Sequence, residues 1–163
     1  MRKAYKSSWI DTPLGPLFAV ADGEALCHLE FDSQLEQFLE ITPGICAPLQ
    51  SIETELKAYF AGKLKEFKTP LKPEGTPFQW SVWQALQTIP YGETRSYSAI
   101  AEQLGKPTAY RAAANANGKN PIVIVIPCHR VISSNGTLGG YNCGLPRKEW
   151  LLQHEGLKPL QRS

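Results

Sequence analysis

The sequence predicts a mixed α/β (α+β) chain in two parts: an N-terminal antiparallel sheet with a helix, and a C-terminal, winged-helix-like set of short helices. Three observations carry this prediction. Apolar residues alternate on both sides of Asp22-Gly23, as in a half-buried hairpin. After a stretch rich in Lys, Pro and Gly at 63–75, the texture changes to short capped helices. Two of those helices are joined by a tight Gly-containing turn, a helix-turn-helix pattern. With 163 residues, 42% apolar and 20% charged, the chain suffices for one compact domain or two small ones. That composition excludes a disordered, collagen-like or coiled-coil chain, and the length excludes a large barrel enzyme.

The elements follow in order. Leu17 to Val20 and Ala25 to Phe31 are the hairpin strands, and Cys27, Leu29 and Phe31 alternate with His28 and Glu30, so Cys27 is expected to point inward. Ser33 to Glu40 has a short helical pattern, and Ile52, Leu56, Tyr59 and Phe60 recur at helical spacing until Gly62. Lys63 to Gly75 reads as a linker, which divides the chain into 1–75 and 76–163. Thr76-Pro77-Phe78-Gln79 is a capping box with Pro at the first helical position, followed by a buried stripe of Phe78, Val82, Leu86 and Ile89. Ser96 caps a helix reaching Leu104, and a third helix is expected from about Pro107 to Asn117. An apolar run from Ile122 to Ile126 comes next. Asn135-Gly136 between Val131–Ser134 and Thr137–Leu138 predicts a wing, and Leu145 to Glu155 a last helix stopped by Gly156.

No apolar segment follows the basic residues at the N-terminus, and no run reaches the eighteen or so apolar residues of a membrane span, so a cytoplasmic protein is expected. Cys27, Cys46, Cys128 and Cys143 form no CxxC pair, which argues against a zinc ribbon or a disulfide framework. The chemically loaded segment is Asn120-Pro121 through Pro127-Cys128-His129-Arg130-Val131. A thiol beside an imidazole and a guanidinium sits where positive charge and a base raise its thiolate fraction. From that adjacency alone, a nucleophile and a buried structural cysteine are equally good readings.

The wider pattern resembles the O6-alkylguanine-DNA alkyltransferases. It comprises Pro127-Cys128-His129-Arg130-Val131, Asn120-Pro121, Gly140-Tyr141, Arg147-Lys148-Glu149-Trp150-Leu151-Leu152, Ile89-Pro90-Tyr91-Gly92 and Ser96-Tyr97. The resemblance spans essentially the whole C-terminal half and, more loosely, Thr12 to Leu17 and the following strand. It implies a ribonuclease-H-like N-terminal domain and a single, irreversible transfer of an alkyl group from O6 of guanine, with O4-alkylthymine as a second substrate, to Cys128. No cofactor is implied. In this scheme His129 takes the thiol proton through a water, Glu155 orients the imidazole, and Tyr97 supplies a donor to the leaving guanine. Read without the motif, Glu155 is a solvated helix-end residue and Lys148 a surface lysine.

The family pattern also implies double-stranded DNA as partner, entered through the minor groove by a monomer in the cytoplasm or nucleoid. The target nucleotide is flipped out and Arg111 fills the gap, with Ala112 and Ala113 small enough for close approach. Asn120 ties the recognition helix to the active-site segment. Val131, Tyr141, Asn142, Cys143 and Lys148 line the guanine pocket, Cys143 standing where many relatives have Gly. Some relatives carry a structural zinc; Cys27, His28 and Cys46 are the candidates here and lack a fourth ligand, so no metal is expected. Two rivals remain distinguishable: a non-catalytic relative that only flags damage, which would lack the cysteine, and a helix-turn-helix regulator reading the major groove. The net charge of +2 is a sum of opposites, since residues 1–75 carry eight Lys and Arg against eleven Asp and Glu, and residues 76–163 carry nine against four. The basic half is the one expected to meet DNA.

Overall fold

The computed structural model describes residues 4–37 and 41–163; positions 1–3, with the basic start, and positions 38–40, the end of the helical pattern after Ser33, lie outside the described residues. The chain divides into two compact units, Met1–Glu74 and Gly75–Ser163. In the first, strands β1 (Tyr5–Ile10), β2 (Leu17–Ala21), β3 (Leu26–Phe31) and β4 (Ile41–Pro43) form one sheet in the order β3-β2-β1-β4. The β1–β2 and β2–β3 pairs are antiparallel and β1–β4 is parallel. Every residue of central β2 is buried, whereas β3 alternates as its sequence does and turns Cys27 inward. Helix α1 (Ala47–Phe60) lays Leu49, Ile52, Leu56 and Tyr59 into the core. Among the described residues of the helical pattern after Ser33, a 3₁₀ turn forms at Leu35–Gln37.

The 63–75 stretch is not a free linker. Its backbone bridges to β3, with the Leu26 amide donating to the Pro70 carbonyl (2.8 Å) and the Lys72 amide to the Leu26 carbonyl (2.8 Å). The Glu55 carboxylate on α1 accepts from the Lys68 and Thr69 amides at 2.6 and 3.1 Å. A chain without apolar periodicity is thus held by backbone groups, which composition does not reveal.

The second unit begins with α2 (Pro77–Leu86), capped as its sequence predicts: Thr76 Oγ1 accepts from the Gln79 amide and Gln79 Oε1 from the Thr76 amide. Beside Val82 and Leu86 it buries Trp83, whose Nε1 donates to the Ala116 carbonyl at 2.9 Å. Strand β5 (Arg95–Ser96) leads into α3 (Tyr97–Gln103), where Ser96 Oγ accepts from the Ala99 amide at 3.0 Å. Helix α4 (Tyr110–Gly118) starts three residues later than expected. Lys106 to Ala109 close a turn through the Ala109 amide and Lys106 carbonyl (2.8 Å). Pro107 takes the second position of that turn, where its fixed φ is favoured, instead of opening a helix.

The apolar run after α4 folds as turns. The Val125 amide reaches back two residues to the Val123 carbonyl (2.8 Å), which places Ile124 at φ +72° at the centre of a γ-turn. A second such contact, Cys128 amide to Ile126 carbonyl (2.8 Å) around Pro127 (φ −82°, ψ 63°), delivers the chain into a 3₁₀ turn, Cys128–Arg130. Strand β6 (Val131–Ile132) pairs in parallel with β5. The expected wing shrinks to a turn at 133–137: the Leu138 amide donates to the Gln161 carbonyl, and the Leu138 carbonyl is taken by Lys148 Nζ. The ladder groups a second wing strand would need are therefore already engaged. Helix α5 (Leu145–His154) ends at Glu155, and Gly156 (φ +96°) closes it as the Gly156 and Leu157 amides donate to the Gln153 and Leu152 carbonyls.

Replacing Trp83 by Phe keeps most of the apolar volume and removes one of two hydrogen bonds to the Ala116 carbonyl, which still accepts from the Lys119 amide at 3.1 Å, so urea unfolding should show a loss of about 0.5–1.5 kcal/mol. A loss below about 0.5 kcal/mol would mean the indole bond contributes nothing net.

Candidate active site

The 3₁₀ turn sets three consecutive side chains, Cys128, His129 and Arg130, into the interior, 4%, 0% and 6% exposed. The end of α5 brings Glu155 to meet them. Glu155 Oε2 lies 2.8 Å from His129 Nε2 and accepts from Arg130 Nη2 at 3.0 Å, while Oε1 accepts from Arg130 Nε at 2.8 Å. Arg130 Nη1 donates to the Ile89 carbonyl at 2.8 Å, and its guanidinium sits over the Tyr91 ring, 5.8 Å from the centroid. Burial alone would raise the Glu155 carboxyl; hydrogen bonds and charge from His129 and Arg130 outweigh it and hold the group well below the usual carboxylate range.

An ionised Glu155 only accepts, so His129 Nε2 carries the ring proton in the Glu155 bond. Burial pushes the imidazole below its ordinary value, against the pull of Glu155, and leaves it neutral near pH 7. Its other nitrogen, Nδ1, is then a bare acceptor, buried and without a hydrogen-bond partner among the described residues. Burial also pushes the Cys128 thiol up to about 11, although a hydrogen bond from the Asn120 side chain and the charge of Lys148 work the other way. The expectation of a raised thiolate fraction is corrected here. The Arg130 guanidinium is spent on Glu155 and Ile89, and Cys128 is a protonated thiol next in the chain to a neutral imidazole.

Asn120 is fixed twice over, its Oδ1 accepting from the Ile122 amide at 2.9 Å and its Nδ2 donating to the Ile126 carbonyl at 2.7 Å. Lys148 is fully buried, against the surface-lysine alternative. Its Nζ donates to the carbonyls of Val131 (2.7 Å), Leu138 and Gly140 (2.9 Å), which uses all three protons. Burial lowers this lysine to about 8. Tyr97, the first residue of α3, is half-buried with its hydroxyl 3.5 Å from the Gly140 carbonyl. Burial and the neighbouring Cys128 raise its phenol, which stays a donor. Val131 is buried, Tyr141 and Cys143 are half-buried, and Cys143 lies within electrostatic reach of Cys128.

Two placements differ from expectation. Ala113 is 1% exposed and faces the core with Ala116 and Asn117, because only Tyr110, Arg111 and Ala112 of the first turn of α4 lie on its outer side; it is not available to a partner. Asn142 is exposed, and its Nδ2 is bound to the Gly118 carbonyl, so it ties the end of α4 to the 140–144 loop instead of offering that amide to a base. Sequence reasoning missed two residues. Arg130 was in view within the motif, but only the turn shows its side chain directed to Glu155. Asn117 on α4 is 6% exposed with Nδ2 3.5 Å from the Cys128 carbonyl, and nothing in its local sequence marks it. Among the described residues, no three His, Cys, Asp or Glu side chains gather as metal ligands, and no helix is long and apolar enough to cross a membrane.

Two family models match the chain: the ribonuclease-like domain of 6-O-methylguanine DNA methyltransferase over residues 5–73, and the DNA-binding domain of the same family over residues 77–157. The chain is 48% identical to a methylated-DNA–protein-cysteine methyltransferase of Methanosarcina barkeri, covering 90% of this chain and 94% of the relative. It is 45% identical to the protein of that name from Shigella flexneri, over 90% and 93%. The crystal structure of Mycobacterium tuberculosis OGT in complex with DNA superimposes with a TM-score of 0.84 at 48% identity, covering 93% of this chain and 91% of that one.

Glu155→Gln leaves the Arg130 guanidinium buried without its counter-charge, and a loss of about 3–5 kcal/mol of unfolding free energy is expected near pH 7. The folded carboxyl titrates below its ordinary value of 4.5, so its stabilisation is complete above that value and is lost as pH falls through the folded one. Urea unfolding of parent and variant should therefore converge at acid pH. A difference that stays constant between about pH 7 and pH 3 would contradict this assignment.

Proposed function

The chain belongs to the O6-alkylguanine-DNA alkyltransferase family, the methylated-DNA–protein-cysteine methyltransferases, and from that premise we propose how its own residues carry out the repair. The protein repairs DNA by direct reversal, moving the alkyl group onto its own cysteine in a single turnover. In our reading the acceptor is Cys128 and the lesion is O6-alkylguanine, with O4-alkylthymine as a second substrate. The observation that carries this reading is the buried His129–Glu155–Arg130 array, which leaves a bare, buried imidazole nitrogen on the residue next to a buried, protonated thiol.

The step is a displacement at carbon. Cys128 Sγ forms a bond to the alkyl carbon as the carbon–O6 bond breaks. The thiol proton passes through a water to His129 Nδ1, and the imidazolium so formed is stabilised by Glu155 already bonded at Nε2. The electron pair of the broken bond leaves on the guanine, where the Tyr97 hydroxyl donates to it. A thiol kept neutral until the substrate arrives avoids a buried unpaired charge in the resting protein. Lys148, with its three protons committed, shapes the pocket wall by holding the Val131 and Gly140 carbonyls. Asn120 fixes the strand of turns that ends at Cys128.

We infer that the substrate is double-stranded DNA, approached through the minor groove by a monomer in the cytoplasm. A relative of 48% identity was crystallised with DNA, the net charge of residues 76–163 is +5, and the outer tip of α4 presents Arg111 and Ala112. Flipping a nucleotide out of the duplex costs a few kcal/mol, roughly, and Arg111 offsets that cost by occupying the vacated stack.

Incubation with duplex DNA holding O6-methylguanine should add one methyl group, stoichiometrically, to the peptide containing Cys128, as read by mass spectrometry. Transfer that persists in Cys128→Ala would sink the assignment. Arg111→Ala should slow repair of the duplex by about 10- to 100-fold while sparing reaction with free O6-benzylguanine. Equal slowing on both substrates would refute the wedge.

A further inference from the structure

Among the described residues of the second unit, Tyr110 is the large apolar side chain left most exposed, at 45%. Its position makes that exposure unusual. Residues 110, 113 and 117 fall on one stripe of a helix, and Ala113 and Asn117 are both buried. The stripe therefore runs from the core out to an aromatic ring with no core left to cover it, because α4 begins there. The ring is not idle. The Arg111 guanidinium carbon lies 6.0 Å from its centroid, at the outer range of a cation–π contact. Neighbouring helix positions diverge by about 100°, so this contact brings together two side chains that the backbone sends apart, one aromatic and one cationic, both exposed in the first turn of α4.

We propose that Tyr110 is a DNA-stacking residue that works as a unit with Arg111. The inference rests on the repair reading above. When Arg111 enters the gap left by the flipped nucleotide, the Tyr110 ring lies against the base face that flipping exposes beside the gap. Two physical gains follow. A ring two torsions long supplies stacking area at small entropic cost, and stacking on a base tolerates any sequence because every base has a π-face. The same ring holds the guanidinium extended before DNA arrives, so less side-chain freedom is lost on insertion. Both gains suit a protein whose lesion occurs in any sequence context.

The test uses the full chain in single-turnover reactions with an O6-methylguanine duplex carrying 2-aminopurine next to the lesion. Tyr110→Ala should slow repair by about tenfold, the order one base–aromatic stack supplies, and leave the 2-aminopurine brighter in the complex. Tyr110→Phe should restore both readouts, since the ring and not the hydroxyl carries the role. The double variant Tyr110→Ala with Arg111→Ala should be no slower than Arg111→Ala alone, as expected of a unit. The proposal is overturned if Tyr110→Ala repairs the duplex at the parent rate, if it slows free O6-benzylguanine equally, or if the two substitutions are additive. Absence of methyl transfer by the parent protein would instead overturn the repair reading, and the Arg111→Ala control separates that outcome from a failure of Tyr110 alone.

Discussion

One carboxylate holds this site together. Glu155 lies at the end of α5, His129 and Arg130 in the 3₁₀ turn, and the Ile89 carbonyl just beyond α2, and all are joined through the two oxygens of that one side chain and the guanidinium it binds. A buried charge pair of this kind adds little to net stability, because desolvation consumes most of the attraction. Its contribution is orientation. By accepting at Nε2 it decides which imidazole nitrogen is left bare, and by binding Arg130 it removes from the thiol the cation that adjacency in sequence offered. Thiol and imidazole are consequently both neutral at rest, and in the proposed reaction charge develops only as the proton moves, where a preorganised carboxylate acts most strongly.

The remainder of the pocket is rigid for a different reason. Between α4 and the nucleophile the chain makes two γ-turns and places a β-branched residue, Ile124, at positive φ. A backbone of that kind costs on the order of 1–3 kcal/mol and persists only where its surroundings over-determine it. They do so here: Ile122, Ile124 and Ile126 are fully buried, and Asn120 clamps the segment at both ends. Beyond the 3₁₀ turn the Lys148 ammonium performs the equivalent task for three carbonyls, one in β6 and two in the irregular chain that follows it. The site is thus built largely from irregular backbone pinned by buried polar side chains, and each pin is itself fully engaged.

That construction explains which parts of the molecule were legible in the sequence. Elements whose signal is local were read closely: the Asp22-Gly23 hairpin, the Thr76 capping box, the Ser96 cap and the Gly156 stop all depend on side chains within a few residues. The family resemblance implied a pairing of His129 with Glu155, and the two side chains lie 2.8 Å apart, whereas local sequence alone read Glu155 as a solvated helix-end residue. Features set by distant groups were not legible. The late start of α4 follows from a turn at Pro107, the loss of the wing from Lys148 and Gln161 capturing its backbone, and the docking of 63–75 from Glu55 and Leu26. The thiol's protonation state was misread for the same reason, since adjacency in sequence said nothing about where Arg130 points.

The 4% exposure of Cys128 reaches beyond the chemistry of a single encounter. A thioether formed on that sulfur is unreactive toward water and is walled off from any second nucleophile able to reclaim the group. Turnover is therefore closed to the protein by its own packing. What a cell holds is then a titrant, whose capacity is counted in molecules, and defence against a burst of damage depends on how many copies are present when it begins.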